Sequence, residues 1–325
     1  MEKGKNYKII IFLILAVIIC PYLLFSQSLP VSSGYIINKY TLSPACAGLH
    51  NNFKATMAYR QNWTGLRGAP ENTMIYLDGA IFDNTGYGLI LATEKYGIFK
   101  DLNIGGTYAY HLLFNKNQYL SFGLTAEYYR NEIDFGNIKI YDKSDFIVNQ
   151  HQYAAASSFN ACIGMSYVNR EFNAGITINN LFKNKLDNNE VIYTPQRQFK
   201  GYLSYNYKIK RFNYVEPVLV IYKISNTGIN YEFAGIYKYA DSFWTGLIYR
   251  NGLNISLLAG LNLYGSFLIN YTYEINPGTM LGKSLNSHEV SIGFLVDKDQ
   301  RFSIEYIKAK RRHFINTVRK IFKRQ

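Results

Sequence analysis

The chain is short of cysteine, tryptophan, proline and charge. Three cysteines in 325 residues exclude a disulfide-stapled scaffold, and the two beyond the first 26 residues, Cys46 and Cys162, are expected as separate thiols. Seven prolines, 18% charged residues and a hydrophobic share of 48% exclude a disordered chain. Past the N-terminal leader nothing approaches 18 consecutive apolar residues, which excludes helical membrane spans from the remainder. The five histidines, His50, His111, His151, His288 and His313, show no metal-ligand spacing. There is no GxSxG elbow, no phosphate-binding loop and no nucleophile beside a base. The reading therefore assigns no catalytic residue, cofactor or metal ligand, and expects no enzyme. What the chain has in quantity is aromatic side chains, 30 Tyr and 21 Phe, which favour pleated, half-wet surfaces over helices. That points to an all-β protein.

Lys3, Lys5 and Lys8 precede an uncharged apolar run over 9–19, which relaxes through Pro21 and Phe25 to Ser26 and Gln27. This is the order of a secretory signal peptide with a cut after Ser26. A retained anchor and a lipoprotein signal through Cys20 are the weaker alternatives. Charge is uneven along the chain. Residues 308–325 carry Lys308, Lys310, Arg311, Arg312, Arg319, Lys320, Lys323 and Arg324 and no acid; taking this +8 and the leader's +2 from the formal +13 leaves +3 for residues 27–307. Basicity thus belongs to the tail, and export removes nucleic acid as a partner.

From 102 to 112 one face reads Leu102, Ile104, Gly106, Tyr108, Tyr110, Leu112 and the other Asn103, Gly105, Thr107, Ala109, His111. A period of two is the mark of a strand with one apolar face. The pattern recurs over 120–128, 159–167, 172–178, 203–209, 231–239, 255–263, 267–275 and 290–296, lengths that suit tilted strands crossing a bilayer. A soluble sandwich also alternates, so the connections decide. With a first strand at 53–63, links after even-numbered strands are short, at 83–85, 114–117, 169–171, 210–213, 240–242, 264–265 and 297–300. Links after odd-numbered strands include 64–71, 95–101, 131–156, 180–197 and 276–286. Short turns at one end and long loops at the other describe an outer-membrane barrel with periplasmic turns and external loops. An open edge in hydrocarbon leaves backbone groups unpaired, so the ladder must close. The count is fourteen strands, with sixteen as the alternative. The organisation is a signal peptide (1–26), an N-terminal periplasmic or plug-like segment (27–52), a transmembrane antiparallel β-barrel with a wet interior (53–296), and a basic, partly helical periplasmic extension (297–325).

The run Tyr59-Arg60-Gln61-Asn62-Trp63-Thr64-Gly65-Leu66-Arg67-Gly68-Ala69-Pro70 resembles the YRxQWxGixGaP pattern of the PorP/SprF family, outer-membrane proteins of the type IX secretion system in Bacteroidetes. Ser43-Pro44-Ala45-Cys46-Ala47-Gly48, Tyr108-Ala109-Tyr110-His111-Leu112, Phe243-Trp244-Thr245-Gly246-Leu247-Ile248-Tyr249-Arg250 and Ser287-His288-Glu289-Val290-Ser291 are similar to further family stretches. The family usually has Asn-Pro-Ala-Tyr-Ala-Gly where this chain has Ser43 and Cys46, and it often stops soon after the His-Glu strand. The resemblance implies an integral outer-membrane protein that assists secretion or surface attachment of large proteins such as adhesins, sometimes in gliding motility. The partners it implies are secreted proteins with a C-terminal sorting domain and periplasmic peptidoglycan-binding lipoproteins. A passive porin or hydrophobic-compound channel is the alternative that shares the architecture.

Several residues are candidates for contact. Arg60, Trp63, Arg67 and Pro70 leave the top of the first strand and either shape a docking surface at the external rim or fold inward as a constriction, with Trp63 as a girdle residue the plainer reading. Trp244 is expected in the opposite girdle. The longest external loop carries Tyr141, Asp142 and Asp145, and long loops carry recognition more often than scaffold does. In the tail, Phe314, Ile315, Val318, Ile321 and Phe322 fall at helical spacing beneath Lys310, Arg311, Arg312, Arg319, Lys320, Lys323 and Arg324, a pattern for outer-membrane lipid headgroups or a periplasmic partner.

Overall fold

A computed structural model describes residues 32–49, 52–82, 84–115, 117–134, 153–182, 196–225, 228–240, 242–251, 254–276, 279–280, 283–284 and 286–297. The leader, Tyr141, Asp142, Asp145 and the whole basic tail lie outside the described residues.

Fourteen strands make up the sheet. They are β1 (Asn52–Gln61), β2 (Glu71–Gly79), β3 (Thr85–Tyr96), β4 (Phe99–Asn115), β5 (Gln118–Asp134), β6 (Tyr153–Asn169) and β7 (Phe172–Asn179). The rest are β8 (Gln198–Tyr205, resumed at Tyr207–Lys210), β9 (Asn213–Ile224), β10 (Ile229–Tyr239), β11 (Phe243–Arg250), β12 (Asn254–Leu263), β13 (Phe267–Ile275) and β14 (Ser287–Asp297). Each pairs antiparallel with its sequence neighbours. β14 then returns to β1, from Asn52 opposite Asp297 to Gln61 opposite His288. The ring is closed without residues beyond 297, so the fourteen-strand count holds and no edge is left to satisfy.

The two faces are sorted in the reverse of a soluble sheet. On β4, Gly105, Thr107, Ala109 and His111 are buried, while Ile104, Tyr108, Tyr110 and Leu112 are exposed. On β13, Asn270, Thr272 and Glu274 are buried, while Phe267, Ile269, Tyr271 and Ile275 are exposed. Large apolar side chains on the outside and small or polar ones within are what a wall facing hydrocarbon requires.

The turns differ from expectation at one place. Residues 95–101 are not a loop: β3 and β4 run on through charged positions until Tyr96 pairs with Phe99, whose rings stack 5.2 Å apart. Alternation of polar with polar hides strand ends that rise past the apolar band. The links after β9 and β11, at 225–228 and 251–253, are also short, but the long ones, at 62–70, 135–152, 180–197 and 276–286, all follow odd-numbered strands; the tight β12–β13 turn places Tyr264 and Gly265 both at positive φ, the geometry that matches strand twist.

Candidate functional site

Residues 32–49 have no strand periodicity, and the structure puts them inside the ring. They form three 3-10 turns, Ser33–Ile36, Lys39–Thr41 and Pro44–Cys46, capped by Ser32, Asn38 and Ser43, whose side chains accept from the backbone N–H two residues on. Such short turns satisfy their own backbone and leave side chains free to reach outward in all directions. The chain's partners confirm the placement, because they lie on strands all round the barrel.

At the start of this segment stands a buried ion-pair cluster. Arg60 on β1 donates through Nη2 to Glu274 Oε2 at 3.0 Å, through Nη1 to Glu289 Oε2 at 3.2 Å and through Nε to Asn62 Oδ1 at 2.7 Å. Arg250 on β11 donates from Nε to Glu232 Oε2 at 2.6 Å, from Nη1 to Ser256 Oγ at 2.8 Å, and also to Glu274. The second oxygens of Glu289 and Glu232 accept from the segment itself: Ser32 and Ser33 hydroxyls donate to Glu289 Oε1 at 2.7 and 2.8 Å, and Tyr35 Oη to Glu232 Oε1 at 2.5 Å. Five strands thus contribute charge to one knot, and three plug side chains complete it. Neither arginine is exposed by more than 2%, so each depends on these partners.

Further along, Asn38 Nδ2 donates to Asp78 Oδ1 at 2.6 Å and the Gly48 N–H to Asp78 Oδ2 at 3.0 Å, so one β2 carboxylate ties two points of the segment. Lys39 reaches across to Glu216 at 2.8 Å and to Ser204, while Lys238 holds Glu216 from the wall at 2.5 Å. Tyr40 bonds the Thr107 hydroxyl. His111 bridges Ser121 Oγ at 2.8 Å and the Ala47 carbonyl at 3.0 Å.

The closing turn rests on glycine. A Cβ at Gly86 would stand 1.9 Å from the Ala47 oxygen, and one at Gly123 would stand 2.3 Å from the Ala45 nitrogen. The wall is therefore cut to the backbone of Ser43-Pro44-Ala45-Cys46-Ala47. Ser43 caps its turn from the place where the family usually has Asn. Cys46 meets Tyr202 Oη at 3.0 Å and Ser166 Oγ at 3.7 Å. Cys46 and Cys162 are both free and buried, and burial pushes the Cys46 thiol up.

The expected wet interior is corrected at mid-height. Tyr35, Tyr40, Leu42 and Leu49 pack against Val218, Val220, Ala234, Ile236, Ile248 and Leu258 of β9–β12 in one apolar cluster. The run Val218–Leu219–Val220–Ile221 is apolar on both faces, which serves the lipid outside and the plug inside. Trp244 is also corrected. It points into the barrel, not the lipid, with Nε1 donating to Asn270 at 2.9 Å and its ring over Gly260.

Arg60 is buried in the ion-pair knot, and Pro70 is buried behind it; Trp63 is half-buried and Arg67 exposed. The 62–70 connection is laced down by Asn62 N–H to Pro70 O at 2.9 Å, Thr64 N–H to Asn286 O at 2.8 Å and Gly97 N–H to Gly68 O at 2.9 Å. Sequence reasoning missed Glu232, Arg250, Glu274 and Glu289 as a group. Their signal was a charge at the parity opposite the large apolar side chains of each strand. Among the described residues no group of His, Cys, Asp and Glu is arranged to hold a metal ion.

Solved barrels resemble the chain in outline. The monoaromatic hydrocarbon channel CymD is 11% identical with a TM-score of 0.47, covering 86% of this chain and 95% of its own. The Ralstonia pickettii toluene transporter TbuX is 9% identical at 0.46, covering 78% and 92%, and a Pseudomonas aeruginosa FadL homologue is 11% identical at 0.43, covering 76% and 88%. No curated protein matches the chain in sequence. The model of the family described as type IX secretion system membrane protein PorP/SprF matches residues 24–294, and the chain belongs to that family.

Proposed function

We propose that this barrel assists the secretion or surface attachment of large exported proteins, adhesins among them, by holding or handing them over at the outer membrane. The observation that carries the reading is the filled lumen. Ser33, Tyr35, Tyr40, Leu42, Ala45 and Ala47 are each at most 2% exposed, so among the described residues the segment occupies the lumen, and the barrel offers a partner its loops and ends. This weighs against a passive porin or hydrocarbon channel. On this reading residues 1–26 direct export, and Arg67 and Trp63 meet the partner at the loop end over the support of Arg60 and Pro70. Tyr141, Asp142 and Asp145 widen that contact. The secreted partner carries a C-terminal sorting domain, gliding motility is one process served, and the basic tail couples to a periplasmic peptidoglycan-binding lipoprotein or to lipid.

Pull-down of the full chain from native membranes tests the reading together with planar-bilayer recording. Co-isolation of such a protein, with negligible conductance, is expected. Removing residues 32–47 opens a steady conductance, and removing residues 308–325 weakens a periplasmic association while the barrel stays heat-modifiable on gels. Steady conductance by the intact chain, without any partner, overturns the proposal.

A further inference from the structure

The outer face of β6–β9 carries a feature that neither the plug nor the loops explain. On the hydrocarbon side an apolar notch of about 350 Å³ has Ala174 and Gly201 as its floor and Met165, Ile176, Leu203 and Ile221 among its walls. The floor follows from register: Ala174 lies opposite Leu203, and Gly201 lies between Ile176 and Ile221. Two small residues on adjacent strands, each beside large exposed neighbours, leave a hollow in the wall.

The same strands carry a second feature at their short-turn end. Past Tyr205, β8 resumes at Tyr207–Lys210 and turns through Arg211 and Phe212 into β9. Lys208, Lys210 and Arg211 are all exposed, among exposed Tyr207, Ile209 and Phe212. Lys208 lies opposite Tyr214, over its ring at 5.8 Å and on the lumen parity of Glu216 and Val218, while Arg211 lies over Phe212 in the turn at 5.2 Å, a contact that holds its cation against an aromatic ring. Among the described residues none of the three forms an ion pair. The acid on the adjoining turn, Glu171, stands beside Arg170. From Leu203 in the notch to Tyr207 is four residues, about 13 Å along the strand.

We propose that this face is a binding site for one anionic phospholipid, with an acyl chain in the Ala174–Gly201 notch and the phosphate on Lys210 and Arg211. The leaflet is the one that meets the short turns, which in outer-membrane barrels is periplasmic. Apolar burial alone recognises any lipid. Cations within a Debye length of the surface add selectivity for negative headgroups. The hollow and the hairpin together therefore distinguish a held lipid from the fluid annulus.

Native mass spectrometry of the full-length chain in detergent tests this with phosphatidylglycerol and phosphatidylcholine of identical chains. One phosphatidylglycerol is expected to be retained about tenfold better than phosphatidylcholine, given two basic groups at the surface. Replacing both together (Lys210→Gln, Arg211→Gln) removes that preference and leaves phosphatidylcholine retention unchanged, whereas Lys208→Gln, on the lumen side, leaves it intact. Gly201→Leu fills the notch and lowers retention of both lipids, with Ala174→Leu as the second variant should the first fail the heat-modifiability check for folding. Equal retention of the two lipids by the unaltered chain, or a preference that survives the double replacement, overturns the site. Full competition by inorganic phosphate or chain-free glycerophosphoglycerol also overturns it, because a headgroup pocket alone then explains the binding.

Discussion

The two ends of the lumenal segment are held by different physics. Where it begins, Ser32, Ser33 and Tyr35 are fastened to Glu289 and Glu232, which are themselves clamped by Arg60 and Arg250. Where it ends, Ala45 and Ala47 lie against Gly123 and Gly86 with no room for a single added carbon. The first attachment is strong but exchangeable, since a competing donor can replace a hydroxyl on a carboxylate. The second is a matter of shape and has no substitute, since close-packed atoms cannot be traded for water without loss. The contrast teaches that the charged end fixes where the segment starts, and the glycine end fixes its path.

Breaking the charged end has the largest expected effect. Glu274→Ala leaves both Arg60 and Arg250 short of a buried partner, and removing one member of a buried ion pair costs about 3–5 kcal/mol. The unfolding temperature, followed as the gel shift between boiled and unboiled samples, should fall far more than for a substitution on the outer face. An unchanged temperature would show that the knot contributes nothing to holding the barrel.

Altering the glycine end should cost less and act locally. Gly123→Val overpacks the wall against Pro44 and Ala45, at about 1–3 kcal/mol, and lifts the closing turn. The readout is maleimide labelling of Cys46 in a chain with Cys20→Ser and Cys162→Ser, where the seated thiol is hidden and protonated. Labelling should rise many-fold with the barrel still folded. Slow labelling in the valine variant would mean the turn does not need the glycine floor.

His111→Ala also acts at the glycine end and should be the mildest. It removes one contact to the Ala47 carbonyl and one to Ser121, at about 1 kcal/mol each, with a small rise in Cys46 labelling and little change in unfolding temperature. A drop as large as that of Glu274→Ala would erase the distinction between the ends.

Much of this wall was legible because alternation over a strand such as β4 or β13 needs no long-range information. The chain of Leu102, Ile104, Tyr108 and Tyr110 declares its lipid face, and the placing of short links declares which end is which. The segment before the first strand was read only as periplasmic or plug-like, and its fit in the lumen was not legible. Ser33 to Gly48 lacks any period, and its fit depends on glycines that in sequence look like ordinary strand interruptions. The knot of Arg60, Glu232, Arg250, Glu274 and Glu289 was visible only as scattered charges, because what joins them is closure of β14 onto β1, which no local window contains. Trp244 was misread because its position near a strand end outweighed its parity with Ile248 and Arg250.

The Ser33 hydroxyl is bonded to a carboxylate 256 residues further along the chain. That single contact sets an order of events during assembly. The seats of Asn38, Tyr40, Ala45 and Ala47 lie on β2–β5, but that of Ser33 exists only once β14 has joined the sheet, and contacts of such sequence separation form slowly. Up to that moment the front of the segment has no carboxylate to take its hydroxyls, and a sheet lacking its final stave could seat only the later part.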